Sequence, residues 1–339
     1  MAIQDKAIAL FATFAGGRER EPACPIMIDV VVLFFLFGLA AGLARSELKL
    51  PAALYDSLSV FLLLTIGLKG GEGLAQQALG PLLPQLGAVI LLGVAQTLIA
   101  FAILRALGRL GRADAASMAA HYGSVSVATF AVGVNWLLTR SIGFEPQLAI
   151  FLTVMEVPAI MVGIVLARGV GKQTDWRALA HETFLGKGVT LLLGGMAIGW
   201  AAGPEGLAPI KGLFYELFKG ALALFLLEMG LIVSRQVGEL RQRGVFMLAF
   251  GLLMPLLSAL LGLGCGVLLG LSVGGVTLLA TLAASASYIA VPAAMRMAVP
   301  EANPTLSLAA VLGVTFPFNI LAGIPLYHWL ALQLVGATP

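Results

Sequence analysis

Gly244–Met295 reads GVFMLAFGLLMPLLSALLGLGCGVLLGLSVGGVTLLATLAASASYIAVPAAM, 52 consecutive positions without a charged side chain. A membrane-spanning helix needs about 20 mostly apolar residues, so this run demands two spans, with the chain turning near Gly270–Gly275. The rest of the chain has the same character. Of its 339 residues 60% are hydrophobic and only 11% charged, against about 25% charged in a soluble domain, and the mean hydropathy is +1.00. The net charge of +3 is too small, over such a length, to suggest nucleic acid as a partner. Cys24 and Cys265 stand far apart and form neither a metal-type spacing nor a plausible disulfide.

Working outward, seven further spans precede the run. They are Ile26–Arg45, Pro51–Leu68, Gly80–Leu107, Ala115–Thr139, Gln147–Arg168, Gly186–Ala202 and Phe214–Ser234. Pro304–Val335 follows it, and the expected total is ten. Residues 1–25 carry mixed charge around a short apolar stretch and read as a poorly ordered tail or upstream extension. Orientation follows from the loop cations. Of the 17 basic residues outside the tail, 13 fall on one side, among them Arg45, Arg105, Arg112, Lys187, Arg235 and Arg296. Four fall on the other, Lys69, Arg140, Lys211 and Lys219. The first side is cytoplasmic, both termini face outward, and residues 169–185 form a short cytoplasmic connector.

The two halves, 26–168 and 186–339, repeat one another. Leu64–Leu68 (LTIGL) pairs with Leu227–Leu231 (LEMGL), an offset of 163. Gly123–Ala128 (GSVSVA) pairs with Ala284–Ile289 (ASASYI), offset 161, and Val154–Ile164 with Val314–Ile324, offset 160. Five helices per repeat, an odd number, place the second half upside down in the bilayer. The expected fold class is therefore an all-α integral membrane protein of two inverted five-helix repeats, an architecture of solute carriers.

In such carriers the substrate lies at mid-membrane, where paired helices break. The fourth span is interrupted by small polar residues at His121–Thr129 (HYGSVSVAT). The ninth is interrupted at Ser285–Pro292 (SASYIAVP), where Pro292 is expected to prevent regular helix. Broken ends expose N–H groups that attract anions. Ser124, Ser126, Thr129, Ser285 and Ser287, with Tyr288 beside them, are the expected substrate contacts; close packing by small residues is the alternative. Glu156, mid-span in the fifth helix, marks an ion or proton pathway, with Ser126 and Thr129 as further oxygen ligands. Glu228, nearer a loop, is a weaker candidate of the same kind. His121 reads as a proton shuttle or a hydrogen-bonded packing residue, and Asn319 lies beside an expected break at Pro317. Asp29 and Asp56 sit at span ends and read as interfacial. His121 and Ser124 share a helix face as a base and nucleophile would. No carboxylate is matched to orient them, and the chain reads as a carrier rather than an enzyme. No channel filter motif is visible, and no cofactor is expected beyond a coupling ion.

Several words carry a resemblance: Thr65–Gly71 (TIGLKGG), Gly123–Ser126 (GSVS), Met155–Ala159 (MEVPA), Gly238–Arg241 (GELR), and Ala283–Ser287 (AASAS) continuing to Pro292, Arg296, Pro300 and Ala302–Pro304 (ANP). Through most of the chain after Ile26 the sequence resembles the sodium-dependent bicarbonate transporter family of cyanobacteria and other bacteria. The resemblance implies a homotrimer of five-plus-five inverted repeats in the bacterial inner membrane, surrounded by lipid. Bicarbonate would lie between the fourth- and ninth-helix breaks with sodium nearby, and a PII-like trimeric protein would regulate from the cytoplasm. Ser126, Thr129, Ser285 and Ser287 match family site residues. Three positions depart: Glu156 replaces an aspartate, Val127-Ala128 replaces a Gly-Ser pair, and Tyr288 replaces an aspartate. The expected function is secondary, sodium-coupled symport of bicarbonate. The alternatives are proton-coupled carriage of another small organic anion, and a sensor built on a carrier scaffold.

Overall fold

The computed structural model describes residues 29–76, 80, 82–169, 181, 185–241 and 244–336. The expected tail and nearly all of the expected connector lie outside the described residues. Within them every regular element is helical, with no strand. Hydrocarbon offers no partner to a backbone N–H or C=O, so apolar segments satisfy these groups within their own helix. Among the described residues six helices are long and apolar enough to cross a membrane: Ala52–Leu74, Leu82–Ala106, Leu148–Arg168, Gly212–Gln236, Gly244–Leu268 and Pro304–Val335. Large apolar side chains face outward along them, as at Leu83, Leu91, Leu253 and Trp329.

In chain order the helices are α1 (Val30–Leu43), α2 (Ala52–Leu74), α3 (Leu82–Ala106), α4 (Arg112–Gly123), α5 (Val127–Leu138) and α6 (Leu148–Arg168). There follow α7 (Lys187–Leu207), α8 (Phe218–Arg241), α9 (Gly244–Leu268), α10 (Val273–Ala284), α11 (Ala290–Ala298) and α12 (Pro304–Val335). The charge-free run divides as expected: α9 and α10 are joined by a turn whose Gly270 has φ +67°, a left-handed conformation that favours glycine. The sixth span bends where the sequence ends it, at Gly203, with φ +61° before Pro204.

α2 lies along α7 and α1 along α8, while α3, α4 and α6 pack together, as do α9, α10 and α12. Small residues let backbones approach where helices cross in a membrane. A Cβ on Gly67 would lie 2.5 Å from Leu192 O, and one on Gly195 would lie 2.9 Å from Leu64 O, so α2 and α7 meet through glycine on both sides. At the α1–α8 crossing a Cβ on Gly230 would come within 2.5 Å of Leu39 N, and one on Gly38 would strike Leu227 O.

Two sequence expectations change in detail. Pro292 does not break its helix: it is the third residue of α11, a first-turn position whose N–H would have no intrahelical acceptor in any case. Pro317 does not interrupt α12 either. The helix passes it through π-helical turns at Val311–Thr315 and Asn319–Gly323 that absorb the missing donor.

Candidate functional site

The fourth and ninth spans are each two short helices joined by extended backbone. α4 ends at Gly123, where a Cβ would strike the Thr97 hydroxyl of α3. Ser124 is extended (φ −92°, ψ 176°). The chain re-enters helix because Ser126 caps α5: its Oγ accepts from the Thr129 N–H at 3.2 Å and from the Thr129 hydroxyl at 3.1 Å. The break is thus Ser124–Ser126, and Thr129, expected within it, sits in the first turn of α5. In the ninth span α10 ends at Ala284, Ser285 is extended (φ −77°, ψ 170°), and helix resumes at Ala290.

The two breaks are bonded to each other. The Ser126 N–H donates to Ser285 Oγ at 2.8 Å, and Ser285 Oγ donates in turn to Leu282 O at 2.7 Å. The Ser287 N–H donates to His121 O at 2.9 Å, while His121 Nδ1 donates to Ser287 O at 2.5 Å. Because Ser287 O can only accept, Nδ1 carries a proton, and His121 bonds the two breaks to each other. Side chains also meet the carbonyls that end α10: Asn319 Nδ2 donates to Ala284 O at 2.8 Å, and Gln96 Nε2 to Ala283 O at 3.1 Å. The Tyr327 hydroxyl secures Asn319 by donating to its Oδ1 at 2.7 Å.

Not every polar atom at the crossing is consumed. Ser124 Oγ and Gln96 Oε1 are buried with no hydrogen-bond partner, and Tyr288 Oη faces Ser126 without completing a bond. The Tyr288 ring packs edge-on against Phe316, centroids 5.8 Å apart. Each unpaired buried polar group costs about 1–3 kcal/mol, which a ligand bonding to these atoms would recover.

Beside the crossing lies a cavity of about 270 Å³. Glu156 of α6 lines it, together with Val127, the first residue of α5, and Ile289 and Ala290 at the start of α11. Tyr55 and Ser59 of α2 form the facing wall. The Glu156 carboxylate makes no hydrogen bond or ion pair among the described residues, and none joins it to Ser126 or Thr129. Asp56 also lines the cavity, but its carboxylate pairs with Lys187 at 3.5 Å, both side chains well exposed. Glu228 does not line this cavity. It is buried in α8 near Leu50 and Arg235, with Oε2 unpaired. Among the described residues no three His, Cys, Asp or Glu side chains gather as a metal site. A hard cation here would draw on hydroxyl, carbonyl and single-carboxylate oxygen.

Of the residues singled out in the sequence, His121, Ser124, Ser126, Thr129, Ser285, Ser287, Tyr288 and Asn319 converge on the crossing, Glu156 lies in the adjoining cavity, and Glu228 stands apart. Sequence reasoning missed Gln96, Tyr55 and Ser59. Gln96-Thr97 is a polar pair in the middle of an apolar span, a signal of the kind that picked out Glu156. Tyr55 and Ser59 sit one turn apart on one face of α2, and only its position against α5 and α6 gives them meaning.

A helical membrane domain with two interrupted, mutually bonded helices and an unpaired carboxylate in the cavity beside them is a transporter's. More narrowly, the chain belongs to the Na+-dependent bicarbonate transporter superfamily, whose sequence profile matches residues 30–332. No curated protein is similar enough to count as a match.

Proposed function

We propose that this protein is a secondary carrier that takes up bicarbonate together with sodium. The observation that carries the reading is the composition of the 270 Å³ cavity, where the N-terminal turns of α5 and α11 reach the same space as the Glu156 carboxylate. Helix N-termini favour an anion, and the first-turn N–H groups of Val127 and Ala128 have no acceptor within their own helix. A lone carboxylate favours a cation. Placed together, the two sites couple. Two unit negative charges about 5 Å apart at an effective dielectric of about 20 repel by roughly 3 kcal/mol, so the anion binds weakly beside bare Glu156 and well once a cation sits there. By linkage the anion raises the affinity for the cation equally. Among the described residues Glu156 is the only carboxylate lining this cavity free of an ion pair, which favours a single coupling ion.

The reading includes ten crossing segments in two inverted repeats, with α4–α5 and α10–α11 each counting as one. Support comes from the matched words of the two halves. Gly67 of LTIGL and Gly230 of LEMGL play the same part, each pressed against the backbone of a partner helix, α7 and α1 respectively. GSVSVA and ASASYI each hold a break. With the loop cations taken to face the cytoplasm, the Lys187–Asp56 pair at the cavity supports a mouth on the inner side.

The test is uptake of labelled bicarbonate into proteoliposomes under a sodium gradient, with choline replacement and with Glu156→Gln. Uptake is expected to need sodium and to collapse in Glu156→Gln while the protein still inserts. Uptake that ignores sodium and follows a pH gradient would establish the proton-coupled alternative instead. Saturable binding with no accumulation of any anion would establish a sensor.

A further inference from the structure

A second cavity, of about 140 Å³, lies in series with the first. The same three helices form both. α2 contributes Ser59 and Leu63 to the first and Ile66 and Lys69 to the second; α5 contributes Val127 and then Phe130 and Val134. α6 runs the opposite way and contributes Glu156 and then Ala149. A layer about one helical turn thick separates the two spaces along one seam, and by the loop charges the second lies on the outer side.

Among the described residues its one charged lining residue is Lys69. The ammonium is half-buried, 4.8 Å from the ring centroid of Phe218 and 5.0 Å from that of Tyr215. No carboxylate lies within ion-pair distance of it among the described residues, and no acceptor takes its N–H donors. The nearest acid, Glu72, is already committed: Lys211 pairs with it at 3.5 Å and Tyr215 donates a short hydrogen bond to it. Glu72 attracts Lys69 from beyond ion-pair distance but is shared with Lys211, so the cavity carries a surplus positive charge between apolar walls, with aromatic faces as its direct contacts. Cation–π contact recovers about 0.5–2 kcal/mol, well short of what an ammonium loses on leaving water. Low-dielectric walls focus the field of such a charge and raise the local concentration of counter-ions.

We propose that the Lys69 cavity is an outer capture subsite for a small singly charged oxyanion, bicarbonate in the first instance. The inference rests on the reading of this chain as an anion carrier. Lys69 draws the anion out of external water and holds it in line with the crossing, one layer short of the helix N-termini. An ammonium is a point charge without the planar fork of a guanidinium, so the subsite selects by charge and size and leaves finer discrimination to the inner cavity.

Two measurements on the full chain test this. In lipid nanodiscs the rate at which an amine-reactive ester labels Lys69 is followed by peptide mass spectrometry. Bicarbonate is titrated against gluconate, an anion too large for the cavity, at constant ionic strength. Bicarbonate is expected to slow labelling of Lys69 saturably and to leave the partly exposed, Glu72-paired Lys211 unaffected; equal protection of both lysines, or of neither, overturns the proposal. In proteoliposomes Lys69→Gln is expected to raise KM for bicarbonate about tenfold with kcat retained, the loss of about one charge-assisted hydrogen bond, and Lys69→Arg to restore it. An unchanged KM overturns the subsite. Normal uptake with unprotected Lys69 counts against the subsite alone. Protected Lys69 in a protein that accumulates no anion counts against the carrier reading and leaves the subsite standing.

Discussion

Ser285→Ala and Ser287→Ala remove the same hydroxyl from neighbouring positions of one break, yet the structure assigns them different consequences. Ser285 Oγ accepts the Ser126 N–H at 2.8 Å, and no intrahelical acceptor exists for that donor because Ser126 is the cap of α5. Truncation strands a buried N–H, which costs about 1–3 kcal/mol. Leu282 O is not stranded, since the Ser285 N–H still reaches it at 3.1 Å. Hydrogen bonds between membrane helices average only about 0.6 kcal/mol, because the disassembled helices find other partners. A backbone donor at a break has fewer such partners, so about 2 kcal/mol is the expected loss for Ser285→Ala. Ser287 Oγ accepts only the Val291 N–H, at 3.4 Å, beyond the usual range for such bonds. The inter-break contacts of Ser287 run through its backbone, so Ser287→Ala should cost about 0.5 kcal/mol or less. Unfolding by sodium dodecyl sulfate in mixed micelles, followed by circular dichroism, measures both. The effects should also separate in uptake: Ser285→Ala displaces the first turn of α5 and raises KM, whereas Ser287→Ala alters KM only through direct contact with substrate. Equal destabilisation by the two changes, or a loss below about 0.5 kcal/mol in Ser285→Ala, would falsify the bonded-crossing account.

Three further outcomes are expected. His121→Leu leaves Ser287 O without its donor and should destabilise by about 1–3 kcal/mol while the pH profile of the remaining uptake stays put; a displaced profile would make His121 a proton carrier after all. Asn319→Leu strands both Ala284 O and the Tyr327 hydroxyl and should cost about 2–4 kcal/mol, against about 1 for Tyr327→Phe. The double variant should fall short of the sum by at least about 0.5 kcal/mol, and strict additivity on unfolding would show that the two side chains act independently. Tyr288→Asp takes a ring off Phe316 and sets a second carboxylate beside α10, so uptake should depend more steeply on sodium concentration, and an unaltered dependence would reduce Tyr288 to packing.

The sequence made the breaks legible because they are local. Ser126 caps a helix for the same reason in any setting, and Gly123 marks a close approach whatever it approaches. The long apolar helices were legible too, since apolar length is read one segment at a time. What could not be read is how the crossing disposes of its polar atoms. GSVSVA and ASASYI present four serines of equal standing, yet Ser126 and Ser285 are consumed in holding the breaks together, Ser287 works mainly through its backbone, and Ser124 alone keeps a buried hydroxyl unspent. Pro292 misled for a related reason. A proline's effect depends on its distance from the helix start, and that start was fixed by where Ser285–Ile289 cross the other break. The cavity walls were least visible of all, because Tyr55 and Ser59 of α2 acquire a role only when α5 and α6 are laid against them. The polar atoms most conspicuous in the sequence are therefore largely those that build the crossing. Those left without a partner at the crossing and in the cavity beside it are Ser124 Oγ, Gln96 Oε1, Tyr288 Oη, the Glu156 carboxylate and the first N–H groups of α5, and they emerge only by elimination, as the other donors and acceptors there are assigned their partners.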